Sequence, residues 1–261
     1  MARQVDPSLP EKRRLARWRT VANHTMGEVR AVVEALFIEQ VEEFTTCPRF
    51  RRLECGAAPM EDYDRFVANL IRTHSLSPQL IAFLYALAPP DAAEDFLDNL
   101  LGELGVEDES AEAHPGMLKD LAAAAGVFPV LSDLERLAAE DLRDIVSAPL
   151  MYGTLKQVGL AALCEIVAFE FMLSRCASRI EHALEAHRRL PPDALRWFHH
   201  HSEVDRVHAE QGLEHIETYV RYYGFSEDEA WGIVELTLRE NVFVTRYFDQ
   251  ASPSPPQGSD P

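Results

Sequence analysis

The chain has 261 residues, 47% of them apolar, enough for one large hydrophobic core or two small ones. Its 25 Lys and Arg face 43 Asp and Glu, and the net charge of −18 repels phosphate backbones, which argues against nucleic acid as a partner. Cys47, Cys55, Cys164 and Cys176 form no CxxC pair and read as reduced thiols; with no apolar signal core and no uncharged apolar run of about 18 residues, the expectation is a cytoplasmic protein without a membrane span.

Residues 1–25 are polar and basic (Arg3, Lys12, Arg13, Arg14, Arg17, Arg19), weakly patterned, and expected to be peripheral and mobile. From Gly27 onward apolar residues recur at helical spacing, as in Val29, Val32, Val33, Leu36, Phe37, Val41 and Phe44, and period-two alternation is nearly absent, so residues 26–249 read as one all-α domain. Breakers at Pro48, Gly56, the Ser75 to Pro78 turn, Pro89-Pro90, Gly105, His114-Pro115, Gly126, Pro129, Pro149, Pro191-Pro192 and Gly224 divide it into about seven to nine helices. Two are long, about Thr154 to His187 and Asp193 to Tyr223, and a last one is expected from about Glu227 to Phe248 with Ser226 as N-cap. Residues 250–261 form a Pro/Ser/Gly tail with no core-forming residue, expected to be disordered.

The stretch "FHHHSEVDRVHAEQGLEH", Phe198 to His215, lies inside the second long helix. At about 100° per residue, His201, Asp205 and His208 fall within roughly 60° of one another, and one face presents two imidazoles and a carboxylate. His199 and His200 point elsewhere. Taken alone, the pattern also fits a solvated face of an acidic protein; as a metal site it needs carboxylates from other helices.

The preceding helix offers them in "GLAALCEIVAFEFML", Gly159 to Leu173, where Glu165 and Glu170 interrupt an apolar run. A carboxylate there is costly unless protonated, paired or metal-bound. The two glutamates stand about 140° apart on the helix, which argues against one shared site, and periodicity does not choose between them. A third source is Glu103, which follows the apolar pattern of Phe96, Leu97, Leu100 and Leu104, with His114 before the proline that starts the next helix. Three carboxylates and three imidazoles suit iron or manganese in a paired site with open positions, whereas zinc favours four N/S ligands and calcium mostly oxygen. The Glu-x-x-His pairs of ferritin-like diiron bundles are absent.

In these residues the chain resembles the haem-oxygenase-like diiron oxidases, iron-containing redox enzymes related to TenA and PqqC. Their pattern is a Glu, a His before Pro about ten residues later, an inward Glu in an apolar helix, and His-x3-Asp-x2-His about thirty residues on. Glu103, His114, Glu170, His201, Asp205 and His208 fill those places, and the resemblance favours Glu170 over Glu165. It spans roughly residues 30 to 245, including "CPRFRRLECGAAPMEDYDRFVANLIRTHSLSPQLIAFLYALAPP"; where many relatives carry an acid before the first glutamate, this chain has Gly102.

The resemblance implies a haem-oxygenase-like bundle binding two iron ions, with Glu170 bridging and dioxygen as co-substrate activated to a peroxo-diferric oxidant, and it admits an external electron donor and a homodimer. It also implies oxidation of a small carboxylate substrate, an amino acid or derivative in preference to a fatty acid, by N-oxygenation, desaturation or C–C cleavage. Arg175 and Arg179, beyond Glu170 on the same helix, are candidates for holding that carboxylate, because the guanidinium fork matches it. Glu165, Glu203 and backbone carbonyls are candidates for orienting the histidines. The rival readings are a metal-free TenA- or PqqC-like enzyme, a haem oxygenase with His24 as axial ligand, and a non-catalytic interaction module.

Overall fold

The computed structural model describes residues 27–106, 112–147 and 153–250. Along them run α1 (Gly27–Thr46), α2 (Pro48–Glu54), α3 (Met60–His74), α4 (Ser77–Leu87), α5 (Ala93–Leu104), α6 (His114–Ala124), α7 (Leu131–Ser147), α8 (Leu155–Ala183), α9 (Arg196–Tyr222), α10 (Glu227–Thr237) and α11 (Val242–Tyr247). Nine of these helices are eleven residues or longer, α2 and α11 are short, and no strand occurs among the described residues, so the chain is all-α as expected. His24, Glu107, Asp108, Glu109, Pro149 and the segments 1–25 and 251–261 lie outside the described residues.

Local chemistry sets the ends of these helices. Cys47 Sγ accepts from the Phe50 amide at 3.4 Å and Pro48 opens α2, where a missing N–H costs nothing. Gln157 Oε1 accepts from the Thr154 and Gly153 amides at the start of α8, and Ser226 Oγ caps α10 by accepting from Glu229 N. Gly105 ends α5 with φ +64°, and a Cβ there would lie 2.3 Å from the Ala113 backbone nitrogen. Glycine thus lets the chain return against itself, bringing the end of α5 beside the start of α6.

The two long helices pack antiparallel as the centre of the bundle: Gly159 meets Tyr219 and Val167 meets Gly212. A Cβ on Gly212 would lie 2.6 Å from Val167 Cγ2, so the two backbones approach to a distance that only glycine permits. Helices α1, α4 and α10 pack on this pair, while α3 carries α6, α7 and α11. Phe37, Phe44, Phe66, Phe171, Trp197, Phe198 and Tyr247 fill the core. The stretch Leu155–Arg188, α8 and the turn after it, is long and apolar enough to cross a membrane, but 72% of its most apolar window is buried inside the protein, as in a core helix.

The single helix expected over Glu227 to Phe248 is two helices, α10 and α11, broken between Thr237 and Val242. The buried Gln40 amide donates to Leu238 O at 2.7 Å and to Glu240 O, taking carbonyls the helix gives up. Asn241 then caps α11, accepting from Val244 N at 3.0 Å and donating to Gln40 O. The break is made by a residue some 200 positions away in sequence.

Candidate metal centre

Six side chains meet where α5, α6, α8 and α9 converge. Glu103 and His114 come from the facing ends of α5 and α6, and Glu170 projects from α8. On α9 the core stripe runs through Phe198, His201, Asp205, Ala209, Gly212, Ile216 and Tyr219. Two of the expected ligands therefore occupy positions that the helical period reserves for apolar residues.

The six form two sets. One oxygen or nitrogen from each of Glu103, His114 and His201 lies within 4.8 Å of the others, and all three residues are buried. In the second set, His208 Nδ1 is 3.9 Å from Glu170 Oε1 and 3.8 Å from Asp205 Oδ1. Glu103, Glu170, His201 and Asp205 line one cavity of ≈ 90 Å³, with His208 behind them facing a small crevice beside Glu170. The Glu170 side chain is 13% exposed, so it points inward.

Neighbouring groups orient the donors. His201 Nδ1 donates to Trp197 O at 2.7 Å, which leaves Nε2 as the free lone pair, and the Trp197 ring stacks on the imidazole at 4.0 Å between centroids. Ser77 Oγ donates to Glu103 Oε2 at 2.5 Å, and Asn99 Nδ2 donates to Glu170 Oε1 at 2.9 Å. His114 Nδ1 is 3.0 Å from Glu103 Oε1, an ion-pair distance but poorly aligned for a hydrogen bond, and the nitrogen is otherwise unpartnered. Asp205 Oδ2 is buried with no partner at all.

Burial pushes the Glu170 carboxyl up to about 7 against the Asn99 hydrogen bond, with Glu103 adding to the rise. Asp205 is held well above the usual carboxylate range by burial and then by the charges of Glu170 and Glu103. Burial also drives His201 well below its ordinary value and lowers His208. Glu103 goes the other way: burial opposes its ionisation, but contact with His114 and the Ser77 hydroxyl hold it below the ordinary value.

Several expectations are corrected. Arg175 is exposed, its guanidinium 3.4 Å over the Phe171 ring, and Arg179 pairs with Glu54 at 2.7 Å; neither lines the cavity. Glu165 and Glu170 do line the same cavity, with Glu165 paired to Arg246 at 2.9 Å. Of the candidates for orienting a histidine, the Trp197 carbonyl does so; Glu203 is exposed. His200, expected to point elsewhere, packs edge-on against His114, ring centroids 4.7 Å apart. Leu104 is 45% exposed although its pattern pointed inward. Sequence reasoning missed Ser77, Asn99, Trp197 and His74; the last, buried in the cavity wall, shares a 2.7 Å hydrogen bond with the Tyr247 hydroxyl. The signal available for Ser77 was its place before Pro78 at a helix start; Asn99 and His74 carry none.

These residues fit a metal. Among the described residues none of Glu103, Glu170 and Asp205 has a lysine or arginine partner, the buried Asp205 Oδ2 has no hydrogen-bond partner, and the buried His114 Nδ1 has only its misaligned contact with Glu103. Buried carboxylates are retained in such a state when a cation completes them. Mixed oxygen and imidazole donors in two sets suit iron or manganese. Residues 64–226, more than half of the chain and all six donors, match the protein family described as iron-containing redox enzyme. No curated protein matches the chain.

Proposed function

The chain belongs to the family of iron-containing redox enzymes, and on that premise we propose that it is a non-haem diiron oxidase that uses dioxygen to oxidise a small molecule, an amino acid or derivative, in the cavity beside Glu170. The observation that carries this reading is the convergence of six donors from four helices in two sets of three, with the buried Asp205 Oδ2 unpartnered. Glu103, His114 and His201 would hold one iron, and Glu170, Asp205 and His208 the other. Two irons bound there would supply the electrons that reduce dioxygen and the oxidising power for the reaction.

The protein's part is positioning and exclusion. Trp197 O fixes the His201 tautomer, so Nε2 faces the cluster. Ser77 holds Glu103 and Asn99 holds Glu170 in place, so these carboxylates need not reorganise. Asn99 Nδ2 donates to Glu170 Oε1, and burial favours the neutral form of this carboxyl in the metal-free protein. Leu80, Ile81, Ile166, Phe169 and Leu173 line the space next to the cluster, which keeps water from the reacting end of a substrate. The metal-free and haem readings leave Asp205 Oδ2 without a purpose, and the interaction-module reading leaves the whole cluster so.

Iron content per chain after anaerobic Fe(II) loading and desalting tests the reading, with oxygen uptake measured on the same samples. Near two irons in the wild type, clearly fewer in His208→Ala, and oxygen uptake dependent on the iron are expected. Near zero iron in both proteins would overturn it.

A further inference from the structure

A second opening reaches the metal donors. Between α4, α5, α8 and α9 lies a crevice of ≈ 20 Å³ whose walls include Glu170 and His208, together with Asp95 and Asn99 of α5 and Gln211 and His215 of α9. The spacing makes two polar ladders. On α9, Gln211 and His215 follow His208 by three and seven residues, so His215 stands on the same face about 10 Å along the axis. On α5, Asp95 precedes Asn99 by four residues. Asp95 is 41% exposed and His208 28%, so the crevice opens to solvent, whereas Glu103, His114, His201 and Asp205 are buried.

The six donors make no use of the pair formed there by Asp95 and His215. His215 Nε2 donates to Asp95 Oδ2 at 2.9 Å, and the ring packs on Phe96, centroids 4.8 Å apart. In the neutral imidazole that bond places the hydrogen on Nε2 and the lone pair on Nδ1. Nδ1 has no hydrogen-bond partner among the described residues and is not sealed from solvent. A carboxylate that fixes one ring nitrogen while the other stays open is the arrangement of a metal-ligating histidine.

The size of the crevice gives such a ligand a task. A space of ≈ 20 Å³ holds about one water, so a divalent ion does not enter with its hydration shell and has to exchange water for protein donors at the surface. No lysine or arginine lines the crevice. The larger cavity suits a cation less, because Arg72 and Arg246 line both it and the outer pocket of ≈ 380 Å³ beside it, and their partners Asp141 and Glu165 are already ion-paired. We propose that His215, oriented by Asp95, is a docking ligand for Fe(II), and that the crevice is the route by which the ion reaches Glu170, Asp205 and His208. The passage is ligand exchange alone: the ion trades water for imidazole at His215, passes Gln211, and stays Fe(II) throughout. This rests on the diiron reading for its destination. It gives a use to the last histidine of the Phe198 to His215 stretch, which the six-donor pattern leaves out.

Timed uptake of anaerobic Fe(II) by the full-length metal-free chain, stopped with excess chelator that removes unincorporated iron, tests the proposal. At low iron the rate follows the docked fraction, and loss of a ligand's carboxylate partner lowers metal affinity by about 10–100-fold. His215→Phe, which keeps a ring on Phe96, and Asp95→Asn should therefore slow uptake by about tenfold or more, with final iron content and circular dichroism as in the wild type. Glu240→Gln makes the same charge change as Asp95→Asn, but in the outer pocket, and should leave the rate unchanged. Unchanged rates in the folded His215→Phe and Asp95→Asn proteins, a final iron content that falls with the rate, or an equal slowing by Glu240→Gln would overturn it. Two irons per chain taken up at unchanged rates sinks the passage alone, and no uptake by the wild type sinks the diiron reading with it.

Discussion

Asp205 has no ordinary reason to be where it is. It occupies a core position on α9, 2% exposed, with one carboxylate oxygen unpartnered and a pKa driven up by burial and by neighbouring acids. In the absence of metal such a group folds best as the neutral acid. Asp205→Asn should therefore leave the melting temperature of the metal-free protein unchanged or raise it, by about 1–2 kcal/mol of stability, while iron per chain falls. A variant that melts lower and keeps its iron would show that the carboxylate is structural. His74 yields a pH prediction. Burial lowers its pKa from 6.5 to about 4, with Glu103 opposing, so the folded protein binds fewer protons there than the unfolded chain. Its contribution is present above pH 6.5 and is lost as pH falls toward 4, on the order of 3 kcal/mol in total. Metal-free His74→Gln should lose less of its melting temperature between pH 7 and 4.5 than the wild type does. Parallel curves for the two proteins would refute this.

At the scale of elements, the site depends on how closely α8 and α9 approach, since four of the six donors stand on these two helices. Gly212 sets that approach against Val167. Gly212→Ala places a methyl where the Val167 branch already is, and well-packed cores pay about 1–3 kcal/mol for such overpacking. The α9 displacement should also draw His208 away from Glu170 and lower iron content. Adding Val167→Ala in the same chain should restore both melting temperature and iron. If the double variant binds iron no better than Gly212→Ala, the helix spacing is not what positions the donors. The break between α10 and α11 matters for the same reason: it allows α11 to pack on α3 and sets Arg246 beside Glu165 and Tyr247 beside His74.

For the whole molecule, metal binding and folding are coupled. The donors are spread over four helices, so an unfolded chain does not present them together, and a ligand that binds only the folded state adds RT ln(1 + [L]/Kd), about 2.7 kcal/mol at a hundredfold excess over Kd. In a chain of this size that corresponds to a rise on the order of 5–10 °C in melting temperature. Anaerobic Fe(II) should produce it, a chelator should reverse it, and His208→Ala should show less of it. A melting temperature indifferent to iron would mean that the buried donors do not act as a site. The −18 charge bears on function at this scale as well, since it favours the approach of cationic over anionic small molecules.

The sequence by itself determined the helical class, most helix boundaries and the shared face of His201, Asp205 and His208, because these follow from a 3.6-residue period and from caps and breakers acting within a few residues. Ser226 capping α10 and the burial of His201 and Asp205 are of this kind. Tertiary structure alone decided which wall each remaining side chain joins. Periodicity could not tell that Glu165 would meet Arg246 across the bundle while Glu170 met Asn99, that Arg179 would turn to Glu54, or that Gln40 would break a helix some 200 residues away. Local pattern fixes the angle of a side chain about its own helix axis. The rotation and spacing of that helix against its neighbours come from close packing, as at Gly212 and Val167, and this packing decides whether a carboxylate faces a guanidinium, an amide or a metal.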